Sequence, residues 1–145
     1  MDIIALNHVG VRCTDFKSME AFYIGVLGMK KNPDKGNWLS AGDTYAVHLM
    51  PAMVPHETAV PADPATHFAL QVTDLNKILA RLLDAGQKPY QLSLESFKPH
   101  YVEDPHDELA YGLGTLFVND PCGNVCEFVD VKRGIFAKAN YRVSN

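Results

Sequence analysis

The sequence predicts an α+β fold built twice from one βαβββ-like unit, and three observations carry that prediction. A histidine opens the stretch His8-Val9-Gly10-Val11-Arg12-Cys13-Thr14-Asp15, and another opens His67-Phe68-Ala69-Leu70-Gln71-Val72-Thr73-Asp74, 59 positions later, with Thr-Asp at the same offset. Each Thr-Asp is followed by an apolar pattern at helical spacing. Each copy then closes with two apolar runs joined by a turn containing Gly, Asp or Pro. A unit repeated in sequence is a unit repeated in space, so equivalent positions should carry related roles.

The first copy, residues about 1–50, opens with a strand predicted over Leu6 to Cys13. Alternation puts His8, Gly10 and Arg12 on one face and Val9, Val11 and Cys13 on the other, so His8 and Arg12 are expected to look into one cavity. Phe16, Met19, Phe22, Tyr23, Val26 and Leu27 form the apolar stripe of a helix, with Thr14 or Asp15 suited to cap its start and Gly28 standing where it should stop. Trp38-Leu39-Ser40-Ala41 and Thr44 to Met50 read as a hairpin through Gly42-Asp43, with Ala46, His48 and Met50 on one face.

Residues about 51–64 should link the copies, since four prolines between Met50 and Pro64 disfavour helix. The second copy, about 65–131, repeats the plan. His67, Ala69 and Gln71 share a strand face, Leu75, Ile78, Leu79, Leu82 and Leu83 form the helical stripe after Thr73 or Asp74, and Gly86 ends it. Thr115 to Val118 and Val125 to Val129 form the hairpin, with Val125, Glu127 and Val129 on one face. On this alignment His48 and Glu127 are equivalents. An insertion of about twenty residues, near Leu92 to Gly112, separates the copies in length and is expected to be a loop over the site. The tail, 132–145, mixes Lys132, Arg133, Lys138 and Arg142 with Ile135, Phe136, Tyr141 and Val143, and is expected to be a short amphipathic helix.

Composition narrows the function classes. The chain has 145 residues, 47% of them hydrophobic, enough for one sizeable core, so each copy is a module of a single domain. A net charge of −4 and the lack of a Lys/Arg run give no reason to expect nucleic acid. No apolar run has the length of a bilayer span or the layout of a signal peptide, so a cytoplasmic location and no membrane partner are expected. Cys13, Cys122 and Cys126, an odd number without a secretion signal, are expected to be structural thiols and not a disulfide framework.

The pattern His8-x-x-x-Arg12, then Phe22-Tyr23-Ile24-Gly25-Val26-Leu27-Gly28-Met29, Ala46-Val47-His48-Leu49, His67, and Asp120-Pro121-Cys122-Gly123-Asn124-Val125-Cys126-Glu127 resembles the vicinal oxygen chelate superfamily, in particular its glyoxalase I branch. The resemblance implies paired βαβββ modules forming a half-barrel cleft around a divalent metal, often in a homodimer, here with modules exchanged between chains as one arrangement. It places His8, His48, His67 and Glu127 at the metal ligands. In glyoxalase I both hairpin positions are normally glutamate, and here the first is His48. Arg12 falls where those enzymes hold a glutathione carboxylate, which keeps a glutathione adduct among the substrates. The serine- and tyrosine-rich phosphonate pocket of the fosfomycin-resistance transferases is not evident.

The chemistry of such a donor set suits Zn, Ni, Fe or Mn better than Mg or Ca. The resemblance implies a metal-dependent lyase or isomerase that chelates two neighbouring oxygens of a small substrate, with Glu127 and His48 as catalytic groups and Arg12, Tyr101 and Tyr111 as substrate contacts. An extradiol-type dioxygenase is the alternative enzyme, with His8, His67 and Glu127 as facial triad and His48, His100, Tyr101, His106 or Tyr111 as acid or base. A metal-free drug-sequestering protein is the alternative outside enzymes, and the retained His, His and Glu argue against it.

Overall fold

The computed structural model describes residues 3–53, 63–106 and 109–138. Two compact units emerge: residues 1–62 with 120–124, and residues 63–119 with 125–145. The fold is α+β, with two separate sheets.

In the first unit, β1 (Val9–Cys13), β2 (Trp38–Ala41) and β3 (Thr44–Pro51) form a sheet of order β1-β3-β2. β3 runs parallel to β1, with Gly10 opposite His48 and Arg12 opposite Met50, and antiparallel to β2, with Trp38 opposite His48. Val11, Cys13, Leu39, Val47 and Leu49 alternate onto the buried face, as β periodicity requires. The helical stripe is real: α1 (Phe16–Glu20) runs on as a π-wound segment, Ala21–Val26, in which the Leu27 N–H donates to the Phe22 carbonyl five residues back. Met19, Phe22 and Tyr23 are wholly buried.

Two expectations need correcting here. The first strand starts at Val9 instead of Leu6, so His8 precedes it and is exposed. A break in register between Leu39 and Ser40 interrupts the β2–β3 ladder, and the parallel ladder to β1 begins only past it, at Val9 opposite Val47. Among the described residues the unit also has three strands and not four; the fourth position is reduced to a single bridge between Lys31 and Leu39.

In the second unit, β4 (His67–Gln71), β5 (Tyr90–Leu92), β6 (Pro99–Tyr101), β7 (Thr115–Asn119) and β8 (Val125–Val129) form a sheet of order β4-β8-β7-β5-β6. β4 is parallel to β8, with Ala69 opposite Glu127; Phe117 of β7 lies opposite both Glu127 and Tyr90, and Tyr90 lies opposite Tyr101. α2 (Leu75–Asp84) packs on β7 and β8 through Leu75, Leu79 and Leu82, all fully buried. Each such leucine contributes about 2 kcal/mol of burial.

The insertion is not simply a loop. It contains β6, paired antiparallel to β5 at the sheet edge, followed by a path in which Tyr111 N–H donates to the buried Gln91 Oε1. Of the tail, α3 (Gly134–Lys138) is a helix, while Tyr141, Arg142 and Val143 lie outside the described residues, as does the linker from 54 to 62. Among the described residues no helix is long and apolar enough to cross a membrane.

Both modules start their helices with the same device. Asp15 accepts from the N–H groups of Lys17 and Ser18, and Asp74 from those of Asn76 and Lys77. Gly28 and Gly86 follow the helices at φ of 76° and 70°, a conformation an L side chain would strain.

Candidate functional site: two equivalent half-sites

The repeat reproduces itself strand by strand. β1, β3 and β2 of the first module correspond to β4, β8 and β7 of the second, in the same order and with the same parallel and antiparallel pairings. Gly10 opposite His48 matches Ala69 opposite Glu127, and Trp38 opposite His48 matches Phe117 opposite Glu127. The histidine two residues before each of those glycine or alanine positions meets the equivalent aromatic ring edge-on: His8 with Trp38 at 4.7 Å, His67 with Phe117 at 5.5 Å.

In the second module, His67 and Glu127 form a pair. His67 Nε2 lies 3.0 Å from Glu127 Oε2, with a third of the His67 side chain exposed and Glu127 almost fully buried. Glu127 Oε1 accepts from the hydroxyl of Thr115, its neighbour on β7. His67 Nδ1 lies 2.8 Å from the Pro64 carbonyl. A carbonyl can only accept, so Nδ1 carries the hydrogen, and in the neutral ring the Nε2 lone pair faces a carboxylate oxygen. Two acceptors at that separation need a proton or a cation shared between them. A backbone carbonyl on the far ring nitrogen is also how metal-ligating histidines are commonly oriented.

Beside this pair runs an aromatic row across the sheet. Phe117 stacks on Tyr90 at 5.7 Å and 16°, and Tyr90 meets Tyr101 at 5.6 Å. Phe117 and Tyr90 are buried, while Tyr101 is half exposed. The Tyr90 hydroxyl donates to Asn119 Oδ1 at 2.9 Å; burial, and next the Tyr101 hydroxyl, push its pKa up to about 12.

In the first module, His8 and His48 are neighbours, ring centroids 6.0 Å apart. His8 Nδ1 is bonded to Asn7 Oδ1 at 2.8 Å, leaving Nε2 for another partner. His48 is differently placed: its ring stacks on Trp38 at 4.1 Å, and its Nε2 accepts from Asn37 Nδ2 at 2.8 Å. Burial, then His8 and Lys35, hold the His48 pKa below the usual histidine range.

The four expected metal ligands therefore come as two pairs. Among the described residues no group of three or more His, Cys, Asp or Glu stands together as an ion site. A pair is half of what a protein-held transition metal needs. The donor chemistry of the second pair, imidazole with carboxylate and each fixed from behind, fits a borderline divalent ion.

The other expected residues are more dispersed. Arg12 is half-buried, and its carbonyl accepts from Asn124 Nδ2 at 2.8 Å. Tyr101 ends the aromatic row and also lines a cleft of about 510 Å³ with Leu83, Gln87, Lys88, Val102 and Glu103, which contains none of the four expected ligands. Tyr111 meets His100 edge-on at 5.7 Å, and His106 is exposed. Sequence reasoning missed Thr115, Pro64, Asn37 and Tyr90. Thr115 could have been found, because it shares the alternating face of Phe117 on a predicted strand; the other three depend on contacts that no local pattern encodes.

A histidine just before β1 and another at the start of β4, with His48 or Glu127 on the middle strand, mark a paired-module α+β protein. Residues 5–128 match the Glyoxalase/Bleomycin resistance protein/Dioxygenase superfamily, and the chain belongs to that family. No curated protein matches the sequence. Solved structures with the same fold include a glyoxalase family protein from Enterococcus faecalis (18% identity, 90% of this chain and 100% of that one, TM-score 0.57). Another is the oxidase ChaP-H1 (21%, 88% and 96%, 0.60). A third is TnmS3, an antibiotic binding protein from Streptomyces sp. CB03234 (18%, 90% and 98%, 0.56).

Proposed function

We propose that the chain is a metal-dependent enzyme of the glyoxalase type, a lyase or isomerase acting on a small oxygenated substrate, with a glutathione adduct among the candidates and a homodimer as the working unit. The observation that carries this reading is the His67–Glu127 pair, in which Nε2 and Oε2 lie 3.0 Å apart while Pro64 and Thr115 hold their far sides. His67 and Glu127 are the ligands of the second module, and His8 and His48 are their counterparts in the first. A divalent ion held by His67 and Glu127 would polarise neighbouring oxygens of the substrate and lower the cost of negative charge on them.

The remaining chemistry belongs to the chain. Glu127 is the proton carrier: Thr115 donates to Oε1, and Oε2, which faces His67, is the oxygen that takes the substrate proton. Pro64 fixes the His67 ring, so Nε2 keeps its direction toward Glu127. Tyr101, the exposed end of the aromatic row, offers an apolar ring to the rest of the substrate.

The test is metal content of purified protein and of the His67→Ala and Glu127→Ala variants, with folding checked by circular dichroism. Loss of either ligand should reduce affinity for added Zn(II) or Ni(II) by about 100-fold or more. Full occupancy at unchanged affinity in both variants would overturn the assignment. Protein that binds no divalent ion at all would leave small-molecule binding without catalysis.

A further inference from the structure

Cys13 closes β1 on its buried side, 2% exposed, and Cys122 lies in the turn between β7 and β8, half-buried. That turn, 120–124, belongs to the same compact unit as β1. The backbone N–H and the hydroxyl of Thr14 both lie 3.3 Å from Cys122 Sγ, so the main chain leaving Cys13 runs directly against that sulfur. The turn is tied down further, since Asn124 Nδ2 donates to the Arg12 carbonyl and the Tyr23 hydroxyl donates to Asp120. Two cysteines 109 positions apart are thus brought side by side in one unit, one of them within reach of solvent.

We propose that Cys122 and Cys13 are a redox-active pair that forms a reversible disulfide on reaction with a hydroperoxide, Cys122 as the attacking sulfur and Cys13 as the resolving one. The two donors from Thr14 stabilise negative charge on the Cys122 sulfur, as donors around reactive cysteines do. Burial, and next the neighbouring Cys122, push the Cys13 thiol up to about 11.

In the first step the Cys122 thiolate forms an S–O bond as the peroxide O–O bond breaks, and the departing alkoxide takes a proton; Cys122 becomes a sulfenic acid. In the second, the Cys13 sulfur forms the S–S bond, the S–O bond breaks, and the leaving hydroxide takes the Cys13 proton as water. Two thiols lose two electrons and the peroxide gains them. The bond would fasten the end of β1 to the turn that leads into β8, five residues before Glu127. Cys126, fully buried with its sulfur 4.0 Å from the Glu127 carbonyl, takes no part. This inference does not depend on the proposed lyase chemistry.

The test uses the full chain, reduced and then exposed to hydrogen peroxide, read by free-thiol titration, intact mass and non-reducing peptide mapping. Wild type should fall from three free thiols to one, lose two hydrogens in mass and yield a peptide pair joining Cys13 to Cys122. C126S should fall from two to none, C13S and C122S should show no loss of two hydrogens, and dithiothreitol should reverse every change. Three persistent thiols, a disulfide that survives in C13S or C122S, or a bond joining two chains would each overturn the proposal. Because C13S alters a buried position, the wild-type and C126S arms decide the matter if that variant does not fold.

Discussion

The two modules share a scaffold and differ in what they put at its centre. The middle strand of the first carries His48, stacked on Trp38 and accepting from Asn37; the middle strand of the second carries Glu127, held by Thr115 and facing His67. The order of the three shared strands, the pairing at the middle-strand position and the edge-on contact of the leading histidine with its aromatic neighbour are the same in both. What changes is charge. Burial, then His8 and Lys35, favour a neutral His48, whereas the second half-site pairs an imidazole with a buried acid. The duplicated scaffold thus carries an imidazole on one middle strand and a carboxylate on the other.

The largest expected effect comes from removing that asymmetry. In His48→Glu, Asn37 Nδ2 can still donate to the new side chain, so the substitution keeps the hydrogen bond while supplying a second carboxylate. With matched divalent-metal loading, initial rates with methylglyoxal and glutathione should be low in the wild type and rise in the variant, by about 100-fold if the new group moves a proton. Robust activity in the wild type that falls in His48→Glu would mean that Glu127 alone suffices.

A second contrast lies in the hairpin turns. The β2–β3 turn, Gly42-Asp43, is exposed, whereas Asp120 at the β7–β8 turn is buried and accepts from the Tyr23 hydroxyl, the Cys122 and Asn124 N–H groups and the Asn124 amide. Tyr23 itself is wholly buried. Tyr23→Phe removes one donor to a buried carboxylate and should cost about 2 kcal/mol in urea unfolding, while Asp43→Ala should change stability by less than about 0.5 kcal/mol. Equal effects from the two would show that the β7–β8 turn is no better anchored than its counterpart.

Much of this was readable from residue order alone. The 59-residue spacing located both modules, Asp15 and Asp74 cap helices where short oxygen-bearing side chains precede the apolar stripes, and both hairpins lie where Gly, Asp and Pro interrupt alternation. Strand β6 was not readable: Pro99-His100-Tyr101 is too short to show a period and begins with a residue that breaks ladders. The extent of β1 was overread, because alternation continues through His8 while the ladder that would extend it does not. The aromatic row and the Thr14–Cys122 contact depend on which strands and turns become neighbours, and that is set by long-range pairing. The repeat makes His48 and Glu127 equivalents, as their places on the middle strands do, but the hydrogen bonds that distinguish His48 from His67 do not follow from it.

The smallest effect sharpens the comparison at the sheet edges. Tyr90 sits on a full strand of the second module, β5, at the place where the first module has only the Lys31–Leu39 bridge. Its pKa is pushed from 10 to about 12 by burial and then by Tyr101, so the folded state keeps a proton that the unfolded chain releases above pH 10. A raised folded pKa means that this contribution is fully present below pH 10 and is lost as pH rises from 10 to about 12. Measured against Tyr90→Phe, wild-type stability should fall by about 1 kcal/mol more between pH 9 and pH 11. The ultraviolet phenolate titration should show one tyrosine ionising late in the wild type and no such late step in the variant. If the two proteins lose stability in parallel over that range, Tyr90 is not shielded by its row, and the second sheet is as open there as the edge of the first.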